Sequence, residues 1–262
     1  MQALIPPFVW SLRFSTNAID HEPLHFEQYA TYFKVDKEED RAELSLLTLC
    51  SAQRISLHTL LVDLSLSRTT HEQQSSATSR YIVPPVQLTA LLALLDQYVD
   101  TLLTVFAFSS TSSFSSTGST SSLFSMSSVL SAANNAATDD RVAQRPGVAW
   151  SSTLQSTNES WSGDLSLEIV AVLANKAVAL ILQATTGSEG LTKTMIPVLQ
   201  HAAGIYDWIG SAKLQARAGM PEASQAVVFA MSAACRGVSQ QIAVHYFFTN
   251  HGHKHLMLAG LW

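Results

Sequence analysis

The sequence predicts a mainly α-helical protein, because three long stretches carry apolar residues at helical spacing. The most apolar of them runs from Leu165 to Ala184 and contains neither Gly nor Pro. About twenty such residues exceed the usual length of a strand and suit a buried helix. The other two stretches are residues 86–108 and 223–248, and short strands are predicted near 8–14 and 148–150.

The composition indicates a large core and a sparsely charged surface. The 262 residues include 47% hydrophobic and only 13% charged side chains, and the formal net charge is −5. Because Lys and Arg form no cluster, we expect no nucleic-acid partner. Cys50 and Cys235 belong to no paired motif, so we expect reduced, buried thiols in a cytoplasmic protein. Neither the pattern of a signal peptide nor that of C-terminal prenylation is found in the sequence.

The N-terminal part is predicted to contain a strand, a helix and a loop. Residues 8–14 alternate around aromatic side chains, as in a short strand. Asp36 followed by Glu39 is typical of a helix start. The helix that follows is predicted to bury one face, formed by Ala42, Leu46, Leu49 and Cys50. The polar residues 67–80 are predicted to form a loop.

Residues 86–108 form the second predicted helix. Its core-facing stripe should consist of Leu88, Leu91, Leu92, Leu95, Val99, Leu102 and Leu103. Asp96 and Asp100 lie one turn apart on the complementary face. Two such carboxylates could serve acid–base or metal chemistry, but solvent-facing residues of an amphipathic helix are the simpler interpretation. The Ser-rich residues 109–147 are predicted to be a disordered insertion within a single domain, 1–262.

The central helix, Leu165–Ala184, is apolar on nearly every side, so we expect it to be covered by the rest of the protein. Glu168 and Asn175 lie two turns apart along it. A buried polar group without a hydrogen-bond partner costs about 1–3 kcal/mol, so both side chains should have partners. Glu168, Asn175 and Lys176 would fall inside a membrane span, where a central charge costs about 2.5–3.5 kcal/mol. We therefore expect no transmembrane segment.

Two further helices are predicted after the central one. Thr186 and Glu189 form a capping-box pattern at the start of the first, and Pro197 should kink or restart that helix. Pro221 stands at a first-turn position of the last helix. A run of small residues would let a neighbouring helix approach closely: Ala202, Ala203 and Gly204.

Neither a catalytic nor a metal-binding motif is convincing. The sequence has no Gly-rich phosphate loop, no H-E-x-x-H, no G-x-S-x-G and no paired Cys motif, so we predict neither enzymatic activity nor a cofactor. Alternating His residues on a strand could bind zinc or copper, as at His251, His253 and His255. Because Gly252 interrupts them and no carboxylate or Cys is nearby, an irregular tail is the preferred interpretation.

Residues 165–180 resemble the signature helix of the Bro domain, which is found in ALIX-type endosomal adaptors, PalA-type pH-response proteins and rhophilins. The family pattern is approximately L-x-(aromatic)-E-K-x-x-V-L-F-N-x-A-A-L. The matching residues are Leu165 or Leu167, Glu168, Val172, Leu173, Asn175, Ala177 and Leu180. Ile169 stands where the family usually has Lys, and Ala174 where it has Phe.

Other segments resemble the same family, in the same order along the chain. Residues 148–154 are similar to its F-x-W-x-D strand, with Ser152 in place of Asp, and residues 232–237 replace its L-A-Q-A-Q-E segment. The E-G-L start of a helix and an A-A-G segment also match. The residues at the signature positions are Trp150, Glu168, Leu173, Asn175, Glu189, Gly190, Leu191 and Gly204.

The resemblance implies a curved, tetratricopeptide-like helical solenoid with a small β-sheet. It implies a non-catalytic adaptor in endosomal sorting, cytoplasmic or on endosomes, with peripheral contact to the endosomal membrane. The implied partner is an ESCRT-III subunit of the Snf type, or another amphipathic helix, lying on the concave surface. The positions that would bind it are Ser188, Thr192, Ser239 and Leu256. Ser239 replaces an aromatic anchor, and the family's domain continues through further helices, so we expect a divergent, C-terminally short version.

Two other functions stay open. A Bro-like scaffold could serve pH-response or Rho-linked signalling. An unrelated all-α protein could instead bind a membrane or a small-molecule ligand.

Overall fold

The computed structural model describes residues 25–30, 35, 40–74, 83–111, 148–153, 159–162, 166–185, 193–211 and 221–250. This part of the chain is mostly helical, which confirms the prediction of a mainly α-helical protein. Its helices and strands are α1 (Arg41–Gln74), α2 (Pro85–Thr111), β1 (Val148–Ser151), β2 (Glu159–Ser162), α3 (Ser166–Thr185), α4 (Met195–Ser211) and α5 (Gln225–Asn250).

The helices pack in the order in which they follow one another along the chain. α1 lies against α2, α2 against α3, α3 against α4, and α4 against α5. Two short 3-10 turns join this arrangement: Phe26–Tyr29 packs on α1, and Pro221–Ala223 packs on α3 and α5. Since α3 also contacts β1, it is the element on which most of the others converge.

α3 is buried on almost every side, as its sequence predicts. Among the side chains described in it, only Gln183 is exposed and Lys176 is partly buried. A helix with neighbours on several sides needs apolar residues on several faces, which explains its nearly continuous apolar sequence. The ammonium of Lys176 leaves this core to pair with Asp96 of α2, at 2.5 Å from Nζ to Oδ1.

α1 differs from its prediction in both length and face. It continues to Gln74 through residues predicted to form a loop. Its buried side chains recur every three or four positions, at Leu47, Cys50, Ser51, Arg54, Leu57, Leu61 and Leu64. Ala42 is exposed and Leu49 is 48% exposed, so the predicted face was wrong apart from Cys50 and the partly buried Leu46. The predicted start at Asp36 lies outside the described residues, and the amide of Leu44 donates to the carbonyl of Asp40.

α2 buries the predicted stripe. Leu88, Leu91, Leu95 and Leu102 are almost fully buried, and the other three predicted positions are partly buried. The helix extends to Thr111, three residues beyond the predicted end. Asp96 and Asp100 are exposed, in agreement with the solvent-facing interpretation. The remainder of the Ser-rich insertion, 112–147, lies outside the described residues.

The small sheet is confirmed in part. β1 forms at the predicted position and pairs with β2 in antiparallel register, with Trp150 opposite Ser160. β2 was not predicted. The first predicted strand, 8–14, lies outside the described residues.

α5 forms near the predicted position, whereas the predicted helix start at Thr186 and Glu189 lies outside the described residues. α4 begins at Met195, so Pro197 falls in its first turn, where the missing amide hydrogen has no intrahelical partner to lose. Ala202 and Ala203 are fully buried. Gly204 is exposed, and a methyl group built on it would meet nothing within 4 Å, so the predicted close approach at Gly204 was wrong. The oxygens of Ser224 accept hydrogen bonds from the amides of the first turn of α5.

The predicted absence of a transmembrane segment was wrong. Within the described residues, three helices are long and apolar enough to cross a membrane: Pro85–Val105, Leu167–Thr185 and Gln225–Phe247, with mean hydropathies of 1.4, 1.7 and 1.2. In the sequence of the central stretch alone, Glu168 and Lys176 have no visible partners and therefore resemble isolated charges. Both are paired, Glu168 with Arg54 and Lys176 with Asp96.

Candidate functional site

A buried carboxylate, Glu168, joins four elements of the fold. It projects from the first turn of α3 and is fully buried. Arg54 of α1 donates to both of its oxygens, at 2.8 Å from Nε and 3.3 Å from Nη2. The hydroxyl of Tyr98, on α2, donates at 2.6 Å, and the indole Nε1 of Trp150, on β1, donates at 2.6 Å. The prediction that Glu168 needs hydrogen-bond partners is confirmed.

The electrostatics of this cluster keep the side chains of Tyr98 and Arg54 protonated. Burial and the negative charge of Glu168 raise the pKa of Tyr98 well above its usual value, so its hydroxyl stays a donor. Burial opposes the charge of Arg54, but the negative charge of Glu168, the neighbouring Tyr98 and the hydrogen bonds to Glu168 together outweigh burial, so the pKa of the guanidinium is raised. The guanidinium also lies over the Trp150 ring, 5.6 Å from its centroid, at the range of a cation–π contact.

A second buried carboxylate holds the two residues that directly follow β1. Glu222 lies in the 3-10 turn before α5 and is 1% exposed. Its Oε1 accepts hydrogen bonds from the hydroxyl of Ser152 at 2.8 Å and from that of Thr153 at 2.6 Å, and also from the Thr153 amide. Residues 150–153 are therefore fixed between α3 and the start of α5 by two carboxylates.

The hydrogen bonding of these two carboxylates indicates that they stabilise the fold. An ionised carboxylate can accept about four hydrogen bonds, and Glu168 already receives four from Arg54, Tyr98 and Trp150. Breaking a buried ion pair by removing one partner costs about 3–5 kcal/mol, so the cluster is critical for stability. Within the described residues, no group of three or more His, Cys, Asp or Glu side chains could hold a metal ion.

The surface offers a different kind of site, an open groove of about 390 Å³ between α4 and α5. Ile196 and Ala243 lie near one end of it, and Arg236 of α5 lies toward Asp207 of α4, with which it forms an ion pair. Since residue numbers rise along α4 as they fall along α5, the two helices run antiparallel. The groove is lined by Ile196, Gln200, Arg236, Ser239, Gln240 and Ala243.

One predicted partner-binding residue lies in this groove. Ser239 lines it, but the residue is only 4% exposed and its hydroxyl donates to the carbonyl of Cys235 at 2.9 Å. Ser188, Thr192 and Leu256, the other predicted contact residues, lie outside the described residues. So do the three alternating His residues of the tail.

The predicted signature residues divide into three sets. Trp150 and Glu168 meet in the buried cluster. Leu173 and Asn175 are buried in α3, and Gly204 is exposed on α4. Glu189, Gly190 and Leu191 lie outside the described residues.

Sequence reasoning missed Arg54, Tyr98 and Glu222. A usable indication was present for Arg54, because it continues the buried stripe of α1 between Cys50 and Leu57. A fully buried Arg is almost always paired, so recognition of that stripe would have predicted an acidic partner. Glu222 gave no such indication, because it lies in a turn outside any periodic pattern.

Comparisons of the chain with protein-family models, with curated proteins and with solved structures found no match. The resemblance to the Bro domain stays a prediction.

Proposed function

We propose that this chain is a non-catalytic scaffold that binds an amphipathic helix in the groove between α4 and α5. The observation that carries this proposal is the groove itself, which contains Ser239, a position picked out by the Bro resemblance. Two parallel ridges with a depression between them suit helix-in-groove recognition.

The groove has the chemistry for such a ligand. Ile196 and Ala243 supply apolar surface, and Gln200 and Gln240 supply amide groups at its edges. Arg236 supplies a positive charge, which is ion-paired with Asp207. An amphipathic helix could place small apolar residues in the depression and its polar residues along these edges.

The proposed biological role follows from the Bro resemblance. On that proposal the fold is a solenoid, consistent with helices that pack in chain order. The partner is the C-terminal helix of an ESCRT-III subunit of the Snf type, and the process is endosomal sorting. A partner from pH-response or Rho-linked signalling is the alternative.

Binding of fluorescent C-terminal ESCRT-III peptides to the purified full chain, measured by anisotropy, tests this function. We expect saturable binding in the micromolar range. Ala243→Arg should weaken it by at least about tenfold, equivalent to about 1.4 kcal/mol, because the long side chain fills the groove. Ala243 is exposed in a helix, where Ala and Arg have similar propensities, so the fold should be retained.

Ala93→Arg is the matched control, because Ala93 is also exposed in a helix but lies on α2. It should bind as the unmodified chain does. Absence of binding by a chain that circular dichroism shows to be helical would contradict the ESCRT-III role. If the Ala243→Arg variant binds the peptide as tightly as the unmodified chain, the groove is not the binding site. Ser239→Asp is a poor test, since a buried carboxylate at that position would disturb folding.

A further inference from the structure

One end of the groove between α4 and α5 carries an ammonium group. Lys193, two residues before α4, is exposed, and its Nζ lies over the ring of Tyr246, 5.9 Å from the ring centroid. Lys193 comes one turn before the groove residue Ile196, and Tyr246 comes one turn after the groove residue Ala243. A Tyr ring has no formal charge, so this cation–π contact positions the ammonium at the end of the groove without neutralising it.

The opposite end of the groove carries the guanidinium of Arg236, which is held by both helices. Its Nε donates to the hydroxyl of Ser232 in α5 at 3.3 Å, and its Nη2 donates to Asp207 of α4. These contacts use Nε and Nη2, so within the described part of the chain the Nη1 donors are left for another acceptor. The Arg236 side chain is 58% exposed, so a ligand can reach it.

The groove is uncharged between these two cations. Its lining there consists of Ile196, Gln200, Ser239, Gln240 and Ala243. Among the described residues 193–211 and 221–250, Asp207 has the only exposed carboxylate, since Glu222 is buried against Ser152. The groove therefore has an excess of positive charge, in a chain whose formal net charge is −5.

We propose that the groove selects an acidic amphipathic helix, in which two carboxylates three turns apart engage Lys193 and Arg236. Arg236 and Tyr246 are ten residues apart in α5, so the two cations are separated by about 15 Å along the groove. Three turns of a ligand helix span about 16 Å, so two Glu residues about eleven positions apart reach both ends. The turns between them face the uncharged lining. This inference rests on the proposed function and adds the charge pattern of the partner.

The separation of the cations favours a helix over other ligands of an open groove. A single small anion reaches one cation only, because the two lie about 15 Å apart. An extended peptide would need backbone pairing with a strand edge, which a groove between two helices does not offer. The outer face of α5 exposes Phe229, Val244 and Phe247, but these side chains have no charge pattern that would identify a partner.

Binding of designed fluorescent peptides to the purified full chain, measured by anisotropy, tests this inference. The first peptide is a helix of Ala, Leu and Gln that carries two Glu residues about eleven positions apart. The second carries Gln at both positions, and the third carries its two Glu residues one turn apart. We expect the first to bind about tenfold more tightly than the second, since each exposed ion pair contributes up to about fivefold. The third has the charge of the first but should bind less tightly, because one turn does not span the groove.

Variants of the chain assign the preference to the two cations. The double variant Lys193→Gln and Arg236→Gln should bind the first two peptides equally, with unchanged helix content by circular dichroism because both side chains are exposed. Arg41→Gln is the matched control, because Arg41 is an exposed cation at the start of α1, and it should keep the preference.

The outcomes separate this inference from the proposed function. Equal binding of the Glu and Gln peptides by the unmodified chain, abolished by Ala243→Arg, would overturn the acidic partner and leave the groove as a helix-binding site. A preference for Glu that survives in the double variant would also overturn the inference. Absence of binding by the designed and the ESCRT-III peptides alike would overturn the proposed function and this inference together.

Discussion

Glu168 shows how one side chain can fix the relative positions of four elements. Its two oxygens accept hydrogen bonds from α1, α2 and β1, while its backbone belongs to α3. The sequence predicted that this carboxylate is buried and needs partners. It could not identify them, because Arg54 lies 114 residues away and only the packing of α1 and α2 brings it close. A pairing between distant segments depends on tertiary geometry, which local periodicity does not contain.

Removal of the Tyr98 hydroxyl should measure how much its hydrogen bond to Glu168 contributes to the free energy of unfolding. A hydrogen bond to a charged group contributes about 1.5–3 kcal/mol, and Phe has nearly the same shape as Tyr. We therefore expect Tyr98→Phe to lower the free energy of unfolding by that amount in chemical denaturation. Trp150→Phe should cost more, because it removes a hydrogen bond, a cation–π contact and buried volume.

Tyr206→Phe is the control for this measurement. Tyr206 is fully buried on α4 and its hydroxyl has no hydrogen-bond partner within the described residues, so loss of that hydroxyl should lower the free energy of unfolding by less than about 0.5 kcal/mol. If Tyr98→Phe falls within the range of the control, the bond from Tyr98 to Glu168 makes no net contribution to stability.

The helices themselves were predicted better than the faces they bury. The helical stretches of α2, α3 and α5 followed from apolar spacing. For α1 the prediction chose Leu46 and Leu49, although the structure buries Leu47 and leaves Leu49 48% exposed. Apolar residues occur on several sides of α1, so spacing does not decide which side faces α2. The polar Ser51 and Arg54 on the buried side made the true stripe harder to recognise.

Two exposed glycines provide a prediction about helix stability. Gly204 lies in α4 and Gly237 in α5, and a methyl group at either position meets nothing within 4 Å. Because Gly is less favourable than Ala inside a helix, Gly204→Ala and Gly237→Ala should each raise the free energy of unfolding by about 0.5–1 kcal/mol. Chemical denaturation measures this.

Ala203→Gly is the opposite control, since Ala203 is fully buried in α4 and should lose stability on truncation. A destabilising effect of either Gly→Ala change would mean that the glycine is in close contact with another part of the chain or with a second copy.

Over the whole molecule, packing in chain order leaves each helix stabilised mainly by its predecessor and successor. The sequence predicted the mainly-α class, because helix formation depends on the spacing of apolar residues within one stretch of the chain. It did not predict this order of packing, nor the open outer face of α5. The packing order and the open face depend on which apolar faces of the helices are left uncovered after the other faces have packed together. This cannot be inferred from any single stretch of sequence.

Amide hydrogen exchange should show an uneven distribution of stability. α3 has neighbours on several sides and carries the Glu168 cluster, so its amides should be the most protected. α5 packs mainly on α4 and should exchange faster, particularly beyond Val244. Mass spectrometry of exchanged peptides measures this. Equal protection of α3 and α5 would show that the helices open as one cooperative unit.

Packing in chain order also makes the molecule mechanically asymmetric. Tension applied through α5 first loads its contacts with α4, which are side-chain packing and the exposed pair of Arg236 and Asp207. Tension applied through α1 loads the bidentate contact between Arg54 and Glu168 at once, and the two hydrogen bonds break together. We therefore expect the chain to unfold in several steps when force is applied to α5, and to unfold as a single unit at higher force when it is applied to α1.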